Sequence, residues 1–219
     1  MRVLQLLPEL KFGGVERGTV DLSEHLTKLG HQSAVVSAGG GLTEQLSNHG
    51  AKHFTLPIAK KNFLAIKQYK NLRDIYREFK PDIIHVRSRF PAWINVLALK
   101  GLSSSKPIVI STFHGLYSKP FYSKSMSYAN DIIAISKTVQ KYVFKNYDVD
   151  HSRVHLIYRG CDINEFNTSA PLEAWSNAWY QEFPQTSNKI LLTLPGRITG
   201  WKGIEAFLKL LSQLDQAKY

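Results

Sequence analysis

The first thirty residues admit few folds. Arg2-Val-Leu-Gln-Leu-Leu7 is a nearly continuous apolar run, the pattern of a strand buried on both faces of a parallel sheet. A loop from Pro8 to Arg17 follows and contains the adjacent glycines Gly13 and Gly14. Val15, Thr19, Leu22, Leu26 and Leu29 then recur at helical spacing, and Gly30 stands where a C-cap glycine is expected. Strand, glycine loop and helix form the first unit of a doubly wound α/β domain, which binds ligands at the carboxyl ends of its strands.

The paired glycines have two readings. Residues without Cβ let another molecule approach the backbone, and at a helix N-terminus they leave amide N–H groups facing an anion. The alternative is a tight turn and nothing more. The glycines fall at 13, 14 and 18, so the G-x-G-x-x-G spacing is absent and a nicotinamide dehydrogenase is disfavoured.

The opening pattern repeats. Further strands are predicted over 31–37, 52–56, 82–86, 107–112, 131–135 and 153–157, which gives one doubly wound domain over residues 1–165. Residues 62–79 predict one long helix with Leu72, Ile75, Tyr76 and Phe79 as its buried stripe. Lys67, Lys70, Arg73 and Arg77 gather on another face, either a solvated face or a membrane-docking one. Residues 166–188 read as a linker with a short helix from Glu173 to Phe183. Lys189 to Pro195 restarts the apolar pattern, and a helix with Ile204, Phe207, Leu208, Leu211 and Leu214 follows. One strand and one helix cannot bury their own apolar faces, so residues 189–219 are expected to begin a second Rossmann-like domain that is truncated.

A net charge of +11 over 219 residues implies an anionic partner. Aromatic residues are not interleaved with the basic ones, and no nucleic-acid motif is present, so nucleic acid is disfavoured. The single cysteine, Cys161, excludes an internal disulfide and a cysteine metal cluster. No apolar stretch approaches the roughly 18 residues of a transmembrane helix. A cytoplasmic location is expected, with peripheral contact at an anionic membrane face as a further option.

Five stretches, each at a strand end or helix start, together point to a family: Gly13-Gly-Val-Glu-Arg17, His85-Val-Arg-Ser-Arg89, Thr112-Phe-His-Gly115, Ile135-Ser136, and Gly196-Arg197 with Lys202-Gly203. In this order they resemble the N-terminal portion of a family 4 glycosyltransferase of the GT-B fold, of the bacterial type that builds lipopolysaccharide and other surface glycans. The resemblance implies two Rossmann-like domains, with the acceptor held mainly by the first and the nucleotide-sugar by the second. It also implies transfer with retention of configuration and no required metal or other cofactor.

On that resemblance, His114 would be the catalytic-site residue that hydrogen-bonds the transferred sugar; the alternative is a histidine satisfied within the sheet edge. Gly13, Gly14, Arg197 and Lys202 would bind the donor pyrophosphate and nucleotide-sugar, with the two cations taking the place of a divalent ion. Glu16, Arg17, Arg87 and Arg89 would bind a glycan or glycolipid acceptor. Arg159 and Asp162 lie where the family carries an Asn-Gly-Val-Asp-like stretch, and Arg159 departs from it. The paired glutamates that the family uses on the donor do not occur before Tyr219, so this chain alone is expected to be inactive. A sugar-nucleotide 2-epimerase-like enzyme and a non-catalytic sugar-phosphate or partner-binding domain are the alternatives.

Overall fold

The computed structural model describes residues 1–59, 62–102, 106–117, 120–164, 169, 172–196 and 198–214. Its strands are β1 Arg2–Leu6, β2 Gln32–Ser37, β3 Lys52–Thr55, β4 Ile83–Val86, β5 Ile108–Phe113, β6 Asp131–Ala134 and β7 Val154–Leu156. All pair in parallel, in the order β3-β2-β1-β4-β5-β6-β7. The order reverses beside β1, so the crevice between the ends of β1 and β4 is the topological switch point. The helices are α1 Gly14–Lys28, α2 Thr43–Asn48, α3 Phe63–Lys67, α4 Tyr69–Phe79, α5 Arg89–Leu99, α6 Pro120–Ser127, α7 Lys137–Asn146, α8 Glu173–Glu182 and α9 Ile204–Leu211.

The chain divides into two compact units, Met1–Gly160 and Cys161–Tyr219. In the first, the sheet separates two apolar clusters. Leu4, Leu6, Ile84, Val86, Phe113, Ile132 and Ala134 belong to the larger one, together with Leu72 and Tyr76 of α4 and Ile94 of α5. Val35, Val20, Leu42 and Leu46 belong to a smaller one on the α1 and α2 side. In the second unit, Trp175 stacks on Trp179 along α8, with ring centroids 5.7 Å apart, and Phe183 just past the helix end lies tilted against Trp179 at 4.6 Å. Residues 189–195, expected as a buried strand, carry no regular structure, and Ile190, Leu191, Leu192 and Leu194 are exposed. A parallel strand exists only against a neighbour, and the described residues of this unit present none.

Three local features depart from the sequence expectation. The single helix over 62–79 is two, because Gln68 N bonds Ala65 O in a tight three-residue turn and the chain restarts at Tyr69. Arg73 leaves its basic face and packs on α5, where Nε donates to Ala98 O at 3.1 Å and Nη2 to Leu97 O at 3.2 Å. A cation there bonds last-turn carbonyls of α5, Ala98 O accepting from Gly101 N as well. Helix α6 has no apolar periodicity to announce it. Its serine-rich face is buried and hydrogen-bonded, with Ser111 Oγ donating to Met126 O at 2.7 Å and Ser125 Oγ to Arg89 O at 3.1 Å.

The loop that leads into α1 is pinned by its neighbour after β2. Ala38 N donates to Pro8 O, Leu10 N to Gly39 O and Leu42 N to Leu10 O, at 2.8–2.9 Å. Gly40 makes this possible: its φ is +149°, and a Cβ on it would lie 2.4 Å from the Leu10 carbonyl carbon. Gly40→Ala should therefore lower stability by about 1–3 kcal/mol. The check is the urea midpoint at unchanged m-value. Gly50→Ala, with open space around its Cβ, should lower it less.

Candidate active site

One glutamine organises the switch point. Gln5 of β1 is fully buried and faces α1. Its Nε2 donates to Thr19 O at 3.0 Å and to Ser23 Oγ at 2.8 Å, and its Oε1 accepts from Arg87 Nη1 at 3.2 Å. A buried amide must be satisfied, so the buried face of α1 is Thr19, Val20 and Ser23. Of the apolar stripe expected there, Leu22 and Leu26 are half-buried and Leu29 is exposed.

Strand alternation then builds a polar face. Gln5 pairs with His85 and His85 with Ile110 in register, so residues two further along each strand share that face. Gln5, His85, Arg87, Thr112 and His114 therefore line one side of the carboxyl ends of β1, β4 and β5. His85 Nε2 and Thr112 Oγ1 hydrogen-bond at 2.7 Å. Arg87 is only 7% exposed, its Nε has no partner, and burial, helped by Arg159 and opposed by the carboxylates of Asp21 and Glu16, pushes its guanidinium down to about 10. Both ring nitrogens of His114 are buried without a partner. Burial first, then the charges of Arg87 and Arg159, push its imidazole down to about 3. Burial, Arg87 and His114 push His85 well below the usual range. Both imidazoles are thus neutral at neutral pH. Neither ring nitrogen of His114 is satisfied by a neighbour within the sheet edge.

Gly13 is the extended N-cap of α1, and the first intrahelical bond runs from Arg17 N to Gly13 O at 2.9 Å. The amides of the preceding turn lack intrahelical acceptors. The Glu16 carboxylate folds back beside Gly13, at the position of a capping-box glutamate. The Arg159 guanidinium lies over Gly14 and Gly18. Arg17 makes an exposed ion pair with Asp21 at 2.7 Å. Arg89 lies over the rings of Tyr117 and Tyr122, at 4.6 and 5.2 Å. Tyr117 is itself fixed: its hydroxyl accepts from His114 N at 3.4 Å, and its carbonyl accepts from Tyr142 Oη at 2.6 Å.

The structure thus brings Gly13, Gly14, Glu16, Arg87 and His114 together, while Arg17 faces solvent and Arg89 joins the tyrosines. Lys202 is exposed in a 3-10 turn of the second unit, and Arg197 lies outside the described residues. Gln5, His85, Thr112 and Arg159 complete the cluster and were not singled out for it by sequence. Their signals were a glutamine inside an apolar run and polar residues at alternate positions of His85-Val-Arg87 and Thr112-Phe-His114. Among the described residues no group of three or more His, Cys, Asp or Glu is placed to hold a metal ion. No described helix is long and apolar enough to cross a membrane.

Residues 12–165 match glycosyltransferase family 4, and the chain belongs to that family. An uncharacterised glycosyltransferase of Methanocaldococcus jannaschii is 23% identical, over 92% of this chain and 56% of its own length. A glycosyltransferase structure from Rickettsia africae is 30% identical with a TM-score of 0.81, covering 100% of this chain and 58% of its own. The Anabaena protein HepE, solved with UDP and glucose, superposes with a TM-score of 0.77 at 18% identity, over 97% of this chain and 58% of its own. The seven-stranded parallel sheet is that of GT-B enzymes, and this chain spans little more than half of each of these proteins.

The depressed histidine sets a sign for stability against pH. The unfolded imidazole takes a proton near 6.5, and folded His114 takes one only near 3. The unfolded chain binds more protons between those values, so this contribution is present above pH 6.5 and is lost as pH falls toward 3. The wild-type urea midpoint should be lower at pH 5 than at pH 7, and His114→Asn should narrow that difference.

Proposed function

We propose that this chain is the acceptor-side portion of a retaining glycosyltransferase. The intact enzyme would move a sugar from a nucleotide-diphospho-sugar to a surface-glycan, lipopolysaccharide-core or lipid-linked acceptor. The carrying observation is His114: a neutral imidazole with two unpartnered nitrogens at the end of β5, within reach of the charges of Arg87 and Arg159. Such a ring can donate to one hydroxyl and accept from another, which suits a sugar better than a charged imidazole would. Gly13 and Gly14 would offer amides to the donor phosphate or sugar. Arg197 and Lys202 would neutralise the leaving nucleotide diphosphate, a role that a divalent ion takes in other transferases.

The test is release of nucleoside diphosphate from UDP- and GDP-sugars by the longest natural polypeptide that carries this chain, with and without added acceptor. Release that depends on acceptor supports transfer; equal release without it contradicts the reading. His114→Ala should lower kcat/KM by roughly ten-fold or more, the worth of a hydrogen bond made to the reacting sugar. Its urea midpoint should move little, because the ring makes no side-chain hydrogen bond in the fold.

A peripheral membrane contact of the same enzyme would use Lys67, Lys70 and Arg77, which stay exposed on α3 and α4 after Arg73 is withdrawn. Replacing these three with Gln should reduce sedimentation with anionic phospholipid vesicles, and unchanged sedimentation would leave them a solvated face.

A further inference from the structure

Two guanidinium groups converge on one bare face of α1, and the carboxylates whose charge reaches Arg87, Asp21 and Glu16, are both engaged elsewhere. A Cβ on Gly18 would lie 2.5 Å from Arg159 Nη2 and 3.4 Å from Arg87 Nη2, and one on Gly14 would lie 3.3 Å from Arg159 Nη1. Among the described residues neither arginine is in an ion pair. Asp21 is engaged by Arg17, and Glu16 is folded back on Gly13. The partner that Arg87 does have is the neutral oxygen of Gln5, and its buried Nε has none.

This is costly in isolation. Asp21 and Glu16 offset the buried Arg87 charge only in part, since burial and the charge of exposed Arg159 together still press its guanidinium down. An oxyanion would relieve both, because planar guanidinium forks match phosphate and carboxylate oxygens. Gly14 and Gly18, over which the Arg159 guanidinium lies, belong to the first turns of α1, where the helix dipole favours an anion.

We propose that Arg87 and Arg159 form a binding site for a single oxyanion, a phosphoryl or carboxylate group of the substrate, seated against the glycine-bare first turns of α1. That the group belongs to a transferase substrate rests on the function proposed above; the site itself does not. The group has two possible sources, an anionic sugar acceptor or the donor diphosphate.

Calorimetric titration of this chain at low ionic strength tests the site with inorganic phosphate as the first probe. One phosphate should bind per chain, and Arg159→Gln should weaken it at least roughly ten-fold, the loss of a charge-assisted hydrogen bond. Gly18→Ala should weaken it as well, since the methyl occupies the place of the Arg159 guanidinium. Its urea midpoint should hold or rise, alanine being the better helix former, so lost binding cannot be lost folding. No phosphate binding, or equal binding by wild type and both variants, overturns the proposal. Tighter binding of glucuronate or glucose 6-phosphate than of pyrophosphate or UDP assigns the site to the acceptor, and the reverse order assigns it to the donor; either supports an oxyanion site. Phosphate binding without acceptor-dependent transfer would remove the transferase reading and leave the site standing.

Discussion

The arrangement at the switch point depends on the three hydrogen bonds of Gln5. In a parallel sheet covered on both faces, a buried amide is expensive unless every polar atom is answered. Here the answer couples two elements: Nε2 reaches into α1 at Thr19 and Ser23, and Oε1 holds Arg87 at the end of β4. The amide thus fixes where the helix sits on the sheet and where a guanidinium points. An apolar residue at this position would leave Thr19 O and Ser23 Oγ without their donor and Arg87 without an anchor.

From that joint the chemistry of the site follows. Arg87 is drawn in until it is nearly covered, and its charge acts on both adjoining imidazoles in the same direction as burial does, joined at His114 by that of Arg159. The result is two guanidinium groups near two neutral histidines. Such a site suits anionic and hydroxyl groups together. Proton transfer by His114 near neutral pH is disfavoured, because its conjugate acid persists only near pH 3. Hydrogen bonding and charge stabilisation are the contributions that this half of the fold can make.

Much of the fold was legible because parallel strands buried on both faces read as short apolar runs, and all seven stood out between helices or turn residues. His114 and the glycine pair were legible for a related reason: they fall at strand ends, where this topology binds its ligands. Other features were hidden by mechanisms that leave little trace in periodicity. Gln5 passed as part of an apolar run, and its demand on Thr19 and Ser23 turned α1 away from its most apolar stripe. Helix α6 is stabilised by buried serine hydroxyls, and serine is a weak helix signal. Arg159 is exposed and distant in sequence from Gly14 and Gly18; only the folded chain after β7 brings it over them. Residues 189–195 had the apolar character of a strand, but a strand needs a ladder, which single-sequence pattern does not guarantee.

The central claim is that Gln5 and Arg87 act as one unit, and a double-mutant cycle on folding stability tests it most directly. Gln5→Leu and Arg87→Met would be made singly and together and unfolded in urea. Each single change strands a buried polar partner, whereas the double change removes both, so the double mutant should lose less than the sum of the singles by at least about 1 kcal/mol. Additive losses, within about 0.3–0.5 kcal/mol, would show that the two side chains are independent and contradict the account.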